Sequence, residues 1–247
     1  MDTNTSPAII MRIKEFGETD LLVTFFTSDK GQLKGVAKGA RKSRKRFVNA
    51  LDIFSLVKLE YGLKREGALY FLHSGKLIDA YPGLRSNFAS LSKASFMIEL
   101  AEALFPQGVT EHRMFGLLKG SFHCLDKGEA LELTPLIFES RAMALGGYGI
   151  HLEKCCICGR PYTGQGNAVF LRQTGCIACL KCKQKSALAP SMTPESVKSL
   201  SLMQSKSLLS LNILEPSPET MSEIKSVLKL HREYRLEKKL KTSKYVA

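Results

Sequence analysis

No apolar run in this chain of 247 residues approaches the roughly 18 residues that a membrane helix needs, which excludes spanning a bilayer. The opening residues, Met1-Asp2-Thr3-Asn4, lack the basic and then apolar layout of a secretory signal, which argues against export. Catalytic signatures are also missing. There is no P-loop, no dinucleotide glycine fingerprint, no G-x-S-x-G, no H-E-x-x-H and no acidic pair spaced for metal-ion catalysis. Histidine is sparse and scattered, at 73, 112, 123, 151 and 231, so no general-base cluster is legible. Acidic residues are outnumbered, 23 against 36 Lys and Arg, which leaves a net charge of +13.

That surplus calls for a polyanionic partner, either nucleic acid or an anionic membrane surface. With 44% hydrophobic and 24% charged residues, the chain is otherwise an ordinary globular protein. The charge is unevenly spread. Residues 1–80 carry +5, residues 81–150 carry −1, residues 151–190 carry +5 and residues 191–247 carry +4. The basic character belongs to the two ends and to a cysteine-rich segment.

Five β-prone runs are predicted in the first eighty residues, at 8–16, 20–27, 32–38, 51–61 and 68–78. That number and length suit a small barrel such as an OB-fold, and equally an SH3-like barrel or a small open sheet. At Pro82-Gly83 the period changes. Phe88, Leu91, Ser95, Ile98, Glu102 and Phe105 step by three and four along a helix face, and Met114, Leu117, Leu118 and Phe122 form a second stripe. Thr134-Pro135, Thr193-Pro194 and Ser217-Pro218 read as helix starts. Gly146-Gly147 ends the first of these helices, and the last runs to about Leu240. The expected organisation is a barrel at 1–80, a helical domain beginning at 81–150, a cysteine-rich insert at 151–186 and the remaining helices at 187–247.

Seven cysteines are present, and five fall in C-x-x-C spacings: Cys155, Cys158, Cys176, Cys179 and Cys182. Two such turns present four thiolates to one zinc ion at tetrahedral angles, so the segment reads as a structural zinc ribbon or knuckle in a reducing compartment. Pairing Cys155 and Cys158 with Cys179 and Cys182 leaves 20 residues between the pairs, and pairing with Cys176 and Cys179 leaves 17. Both spacings are allowed, so the register is open. His151-x-Glu153 ahead of Cys179-x-x-Cys182 outlines a zinc deaminase. That reading leaves Cys155 and Cys158 idle, and Ala178 stands where the signature has proline.

The other signal is a run of cations without an acid: Lys34, Lys38, Arg41, Lys42, Arg44, Lys45 and Arg46. It lies between two predicted strands, contains Gly35 and Gly39, and ends on Phe47. Phosphate contacts beside a stacking ring would bind a single strand. A further basic stretch, with Arg232, Arg235, Lys238, Lys239, Lys241 and Lys244, shares its helix with Glu233 and Glu237. Zinc-dependent action on nucleic acid and a structural RNA-binding module remain as alternatives, since phosphate contacts do not separate DNA from RNA.

Several of these segments resemble the bacterial RecO recombination and repair family. They are Ala8-Ile9-Ile10, Gly17-Glu18-Thr19-Asp20, Phe26-Thr27, Gly31 and Val36 to Arg41. Phe138-Glu139-Ser140-Arg141 and Leu145 to Gly149 follow, then the Cys155/Cys158 and Cys179/Cys182 pairs and Leu240 to Lys244. Cys176 stands where the family usually has glycine, and Cys156 is an extra thiol. The resemblance implies an α+β multidomain protein: an N-terminal five-stranded OB-fold β-barrel, then an all-helical domain interrupted by a small zinc ribbon. It also implies a non-enzymatic, cytoplasmic and nucleoid-associated mediator of DNA recombination. Such proteins bind single- and double-stranded DNA and anneal complementary strands. They work with RecR, sometimes with RecF, and recognise the C-terminal tail of single-stranded DNA-binding protein so that RecA can replace it.

Overall fold

The β-branched and aromatic runs of the first eighty residues close into a five-stranded barrel in the computed structural model, which describes residues 3–63, 69–205 and 215–245. The strands are β1 (Thr3–Phe16), β2 (Asp20–Thr27), β3 (Gly31–Ala37), β4 (Leu56–Gly62) and β5 (Tyr70–Asp79). Their order around the barrel is β1-β2-β3-β5-β4, the OB-fold arrangement. Closure depends on β1, whose 14 residues serve two neighbours. Its first half pairs with β4 and its second half with β2. An extra residue between Ile10 and Arg12 bends the strand where it changes partner. The parallel contact of β3 with β5 is short, Gly35 opposite Tyr70 and Val36 opposite Phe71. A Cβ on Gly35 would lie 3.1 Å from the Tyr70 carbonyl oxygen, so glycine is what allows that approach.

Ile10, Val23, Phe25, Val57, Leu59 and Tyr61 fill the barrel. Phe25 and Tyr61 meet edge to face at 5.5 Å. The fourth strand begins at Leu56 and not at residue 51 as the sequence suggests, because Phe54 takes a left-handed backbone (φ 73°). Its N–H donates to the Ile10 carbonyl at 2.8 Å, and the Ser55 N–H donates to the Asp52 carbonyl at 3.1 Å, which closes a turn ahead of the strand. The expected start of the last strand at Ala68 lies outside the described residues.

The described residues pack as two units, one formed by residues 1–94 with 101–129 and the other by 95–100 with 130–247. The first adds to the barrel α1 (Pro82–Ser86), α3 (His112–Lys127) and part of α2 (Phe88–Leu104). Asp126 accepts from the Gly83 and Leu84 N–H groups at 2.7 and 3.3 Å and so serves the exposed donors at the start of α1. The face expected to be buried on α2 is only partly so. Ile98 and Phe105 are buried, Phe88 is exposed and Leu91, Ser95 and Glu102 are half-buried, whereas Ser92, Phe96, Met97, Leu100 and Ala101 are also buried. A helix this apolar around its circumference has no single stripe to find.

The second unit holds α4 (Leu133–Leu145), α5 (Pro194–Ser205) and α6 (Pro218–Leu236). Its sheet is formed by β6 (His151–Cys155), β7 (Ala168–Leu171), β8 (Cys176–Cys179) and β9 (Ser191–Met192), in the order β6-β8-β7-β9. Leu152, Phe170, Ile177 and Met192 from that sheet share one core with Leu136, Leu200, Ile224 and Leu228 from the helices. The cysteine-bearing sheet is therefore packed on helices along one face. Ser217 caps α6 by accepting from the Thr220 N–H at 3.2 Å, and Thr193 caps α5 through the Ser196 N–H at 3.3 Å. Thr134 does not cap α4. Its hydroxyl instead donates to the Ala130 carbonyl at 3.0 Å, and the helix starts at Leu133, two residues before the expected Pro135.

Helix α6 stops at Leu236, before the expected Leu240, where Glu237 turns left-handed (φ 51°). Glu99 accepts the Lys241 and Thr242 N–H groups, each at 2.9 Å, and Leu240 is buried, which fixes the tail away from the helical path. Within this core Arg232 pairs with Glu139, both side chains 4% exposed, and the guanidinium lies 5.2 Å from the Phe96 ring centroid. Burial pushes the Glu139 carboxyl up from its ordinary value against the opposing pull of Arg232. Replacing Glu139 with Ala strands a buried cation and should cost about 3–5 kcal/mol. The joint replacement Glu139→Leu with Arg232→Met should recover most of that loss. Urea midpoints for the two variants check it, and an unshifted midpoint in Glu139→Ala would refute it.

Candidate nucleic-acid interface and metal centre

The loop between β3 and β4 is fixed to the barrel at both ends, and its cations face outward. Gly39, with φ of 62°, turns the chain into a 3₁₀ turn at Ala40–Lys42. The Gly39 N–H donates to the Asp20 carboxylate at 2.8 Å, a bond that holds the Asp20 carboxyl below its ordinary value. At the far end, the Gly75 N–H on β5 donates to the Arg46 carbonyl at 2.8 Å. Lys34, Lys38, Arg41, Lys42, Arg44, Lys45 and Arg46 are all exposed. Among the described residues, Arg41 is the one of these with an ion pair, to Glu15 at 3.2 Å.

Phe47 is not available for stacking. It is 5% exposed and belongs to the barrel core beside Ala50, with Arg46 over its ring at 5.3 Å. An aromatic that closes a cationic loop can equally be the anchor that seats the loop, and burial decides here for the anchor. The exposed edge instead offers Phe71, half-buried on β5, with the Lys38 ammonium 5.6 Å from its centroid.

Lys45 and Arg46 overhang an open groove of about 580 Å³ whose walls include Lys58 on β4 and Lys76 on β5. These two lysines are direct cross-strand partners. Like charges opposite one another destabilise a sheet pair, and an anion between them removes that penalty. Glu60, also on the wall, is engaged by the Ser74 hydroxyl, which donates to it at 2.8 Å. The sequence reading missed both lysines. Neither lies in a charge run, and only the register of β4 against β5 makes them neighbours.

The C-terminal basic stretch does not form one surface. Arg232 is buried in its ion pair, Arg235 is half-buried, and Lys238, Lys239, Lys241 and Lys244 are exposed.

Cys155 and Cys179 sit at the ends of β6 and β8, and each opens a tight turn. The Gly159 N–H returns to the Cys155 carbonyl at 2.9 Å, and the Cys182 N–H to the Cys179 carbonyl at 3.0 Å. The sulfurs of Cys155, Cys158, Cys179 and Cys182 all lie within 4.8 Å of one another, with Cys158 and Cys179 at 3.9 Å. A tetrahedral ion with metal–sulfur bonds of about 2.3 Å separates its sulfurs by roughly 3.8 Å, so the four thiols could hold one metal ion. Cys176 is left out of the group, its thiol 3.5 Å from the Thr174 carbonyl, and so is Cys156, near the Thr174 hydroxyl. His151, which would have been the deaminase ligand, is paired with Cys176 at the other end of the sheet.

The thiols' acidities fit a cation site. Burial opposes ionisation of Cys155, yet the N–H groups of Cys158, Cys179 and Ile157 outweigh it and bring its pKa down to about 6. Cys182 goes the other way, pushed up to about 12, chiefly by its hydrogen bonds with the Cys179 and Cys158 sulfurs. Four thiolates this close cannot all ionise until a cation neutralises them. Serine replacement of Cys155, Cys158, Cys179 or Cys182 should each remove bound zinc from the purified protein, while Cys156→Ser and Cys176→Ser should keep about one equivalent. Elemental analysis checks this, and zinc lost with Cys176→Ser but kept with Cys182→Ser would reverse the register.

Comparison with known proteins places both parts of the chain in one family. Residues 1–81 match the family profile described as Recombination protein O N terminal, and residues 85–244 match Recombination protein O C terminal. The chain is 32% identical over 245 residues to the DNA repair protein RecO of Syntrophus aciditrophicus, covering 98% of this chain and 94% of that one. It is 31% identical over 246 residues to the RecO of Desulfatibacillum aliphaticivorans, covering 98% and 95%. It is also 36% identical over 179 residues to that of Syntrophobacter fumaroxidans, covering 72% and 71%. Among the described residues no helix is long and apolar enough to cross a membrane. With its closed five-stranded barrel followed by helices and a four-thiol group, matched over nearly its whole length, the chain belongs to the RecO family of DNA repair and recombination proteins.

Proposed function

We propose that this protein is a DNA-binding mediator of recombinational repair that pairs complementary strands without chemistry. The observation that carries the reading is the barrel groove, where Lys58 and Lys76 oppose each other beneath Lys45 and Arg46. A phosphate backbone running along it neutralises cations that the fold otherwise holds against one another. Lys34, Lys38, Arg41, Lys42 and Arg44 extend the same field along the loop. Two strands held by one chain have a raised local concentration and a screened mutual repulsion, which is what annealing needs.

On this reading the partners are single- and double-stranded DNA, RecR and the C-terminal tail of single-stranded DNA-binding protein, and the outcome is the loading of RecA at the nucleoid. Zinc on Cys155, Cys158, Cys179 and Cys182 is structural. It ties the turns after β6 and β8 together through the four thiols, and it takes no part in a reaction.

Neutralising Lys45, Arg46, Lys58 and Lys76 together should weaken DNA binding across sequences. The log–log salt slope should fall by about 0.7 per lost contact on a single strand and about 0.9 on duplex. Binding isotherms at several salt concentrations check it, and an unchanged slope would make the groove a bystander. The functional test is annealing of complementary strands coated with single-stranded DNA-binding protein. Faster pairing is expected with the protein present, with no nucleotide or added metal and with both strands recovered intact. Equal rates with and without protein would defeat the mediator reading, and cleaved product would favour a nucleic-acid enzyme.

A further inference from the structure

The last turn of α6 and the turn after β7 border an open cavity of about 640 Å³ in the second unit that the groove and the thiol group leave unexplained. Its lining includes Tyr148, Arg172, Glu233, Tyr234, Arg235 and Glu237. The Arg172 and Arg235 guanidinium carbons lie 5.7 and 5.9 Å from the Tyr234 ring centroid, so two cations gather beside one aromatic ring. Neither arginine has an ion pair among the described residues. The Nε atom of each is shielded from solvent and donates to no acceptor there. Tyr148 and Tyr234 are 38% and 41% exposed, an unusual outlay of aromatic surface on one small cavity.

Arg235 is held in place from below. A Cβ on Gly175, whose φ is +69°, would come within 2.7 Å of the Arg235 Nη2 and 3.1 Å of the His231 Cε1. The guanidinium therefore rests on bare backbone at the start of β8. His231 beneath it is fixed by its Nε2–H, which donates to the Tyr148 carbonyl at 2.7 Å. The arginine is presented at a set position, which lowers the ordering cost of binding.

We infer that this cavity is a second nucleic-acid contact: an unpaired nucleobase stacks on the exposed Tyr148, Tyr234 and guanidinium planes, and its phosphate accepts from Arg172 and Arg235. This rests on the DNA-binding reading and extends it from the barrel to a separate unit. Stacked aromatic and guanidinium planes suit flat bases of any sequence. The carboxylates of Glu233 and Glu237 on the rim suit exocyclic amino groups of bases, donors that a run of acidic side chains does not carry. The cavity thus favours a nucleotide over an acidic peptide.

The chain contains no tryptophan, so Tyr234→Trp in the full-length protein installs a single stacking reporter on an exposed site. Titration with a mixed-sequence single-stranded oligonucleotide should quench its emission, saturating at the concentration where the anisotropy of the labelled oligonucleotide also saturates. Arg172→Gln should weaken binding roughly 10-fold and lower the salt slope by about 0.7, with an unchanged melting temperature and zinc content. Binding by anisotropy with unaltered tryptophan emission would overturn the inference and leave the groove reading intact. Flat anisotropy in the parent protein would overturn both. Quenching by a short acidic peptide and not by the oligonucleotide would overturn the nucleotide assignment and make the cavity a peptide site.

Discussion

Closure of the barrel through β1 is the constraint on which the cationic groove depends. One strand must satisfy two neighbours, β4 along its first half and β2 along its second, and a bend between Ile10 and Arg12 makes that possible. The ring then closes only if β3 can approach β5, which Gly35 permits. With the ring closed, the long β3–β4 connection has nowhere to go but over the β4–β5 surface. Phe47 and Ala50 sink into the barrel core, the Arg46 carbonyl takes the Gly75 N–H, and the cations between are left outside. A loop of repelling charges is thereby ordered by apolar anchors and backbone bonds.

The same logic recurs in the cysteine sheet. In both places the fold gathers groups of one kind that are unfavourable together and become favourable with an opposite partner. Lys58 and Lys76 face each other across a ladder and call for an anion. Four sulfurs within 4.8 Å call for a cation, and Cys155 is already held at a pKa of about 6. The sheet bearing those sulfurs is supported by α4, α5 and α6 through Phe170, Ile177 and Met192. The four thiols bring the two turns together, and the helices supply the apolar packing that a short ribbon lacks.

Much of this was legible in residue order. The β-prone runs located the five barrel strands, but β1 begins at Thr3, five residues before the expected start at Ala8, and β4 begins five residues after the expected Leu51, where a left-handed Phe54 interrupts a run that reads as strand. Proline after Ser217 and Thr193 located two helix starts, because those hydroxyls do accept from N–H groups of the first turn. At Thr134 the same pattern misled. A hydroxyl is also a donor, and here the Ala130 carbonyl takes it. The stripe on α2 was right only at Ile98 and Phe105, because the helix is buried around most of its circumference, Ser92 and Lys93 included.

What the sequence determined by itself was the inventory: strands, then helices, two thiol pairs, and a cationic loop with an aromatic at its end. These follow from local preference and spacing, which act over a few residues. Only the tertiary structure decided which members of the inventory meet. It excluded Cys176 from the thiol group, turned Phe47 inward, buried Arg232 against Glu139 and brought Lys58 to Lys76. Each of those outcomes turns on strand register or on which face of an element is covered. Register and burial are set by contacts between residues distant in sequence, so no local reading of the chain contains them.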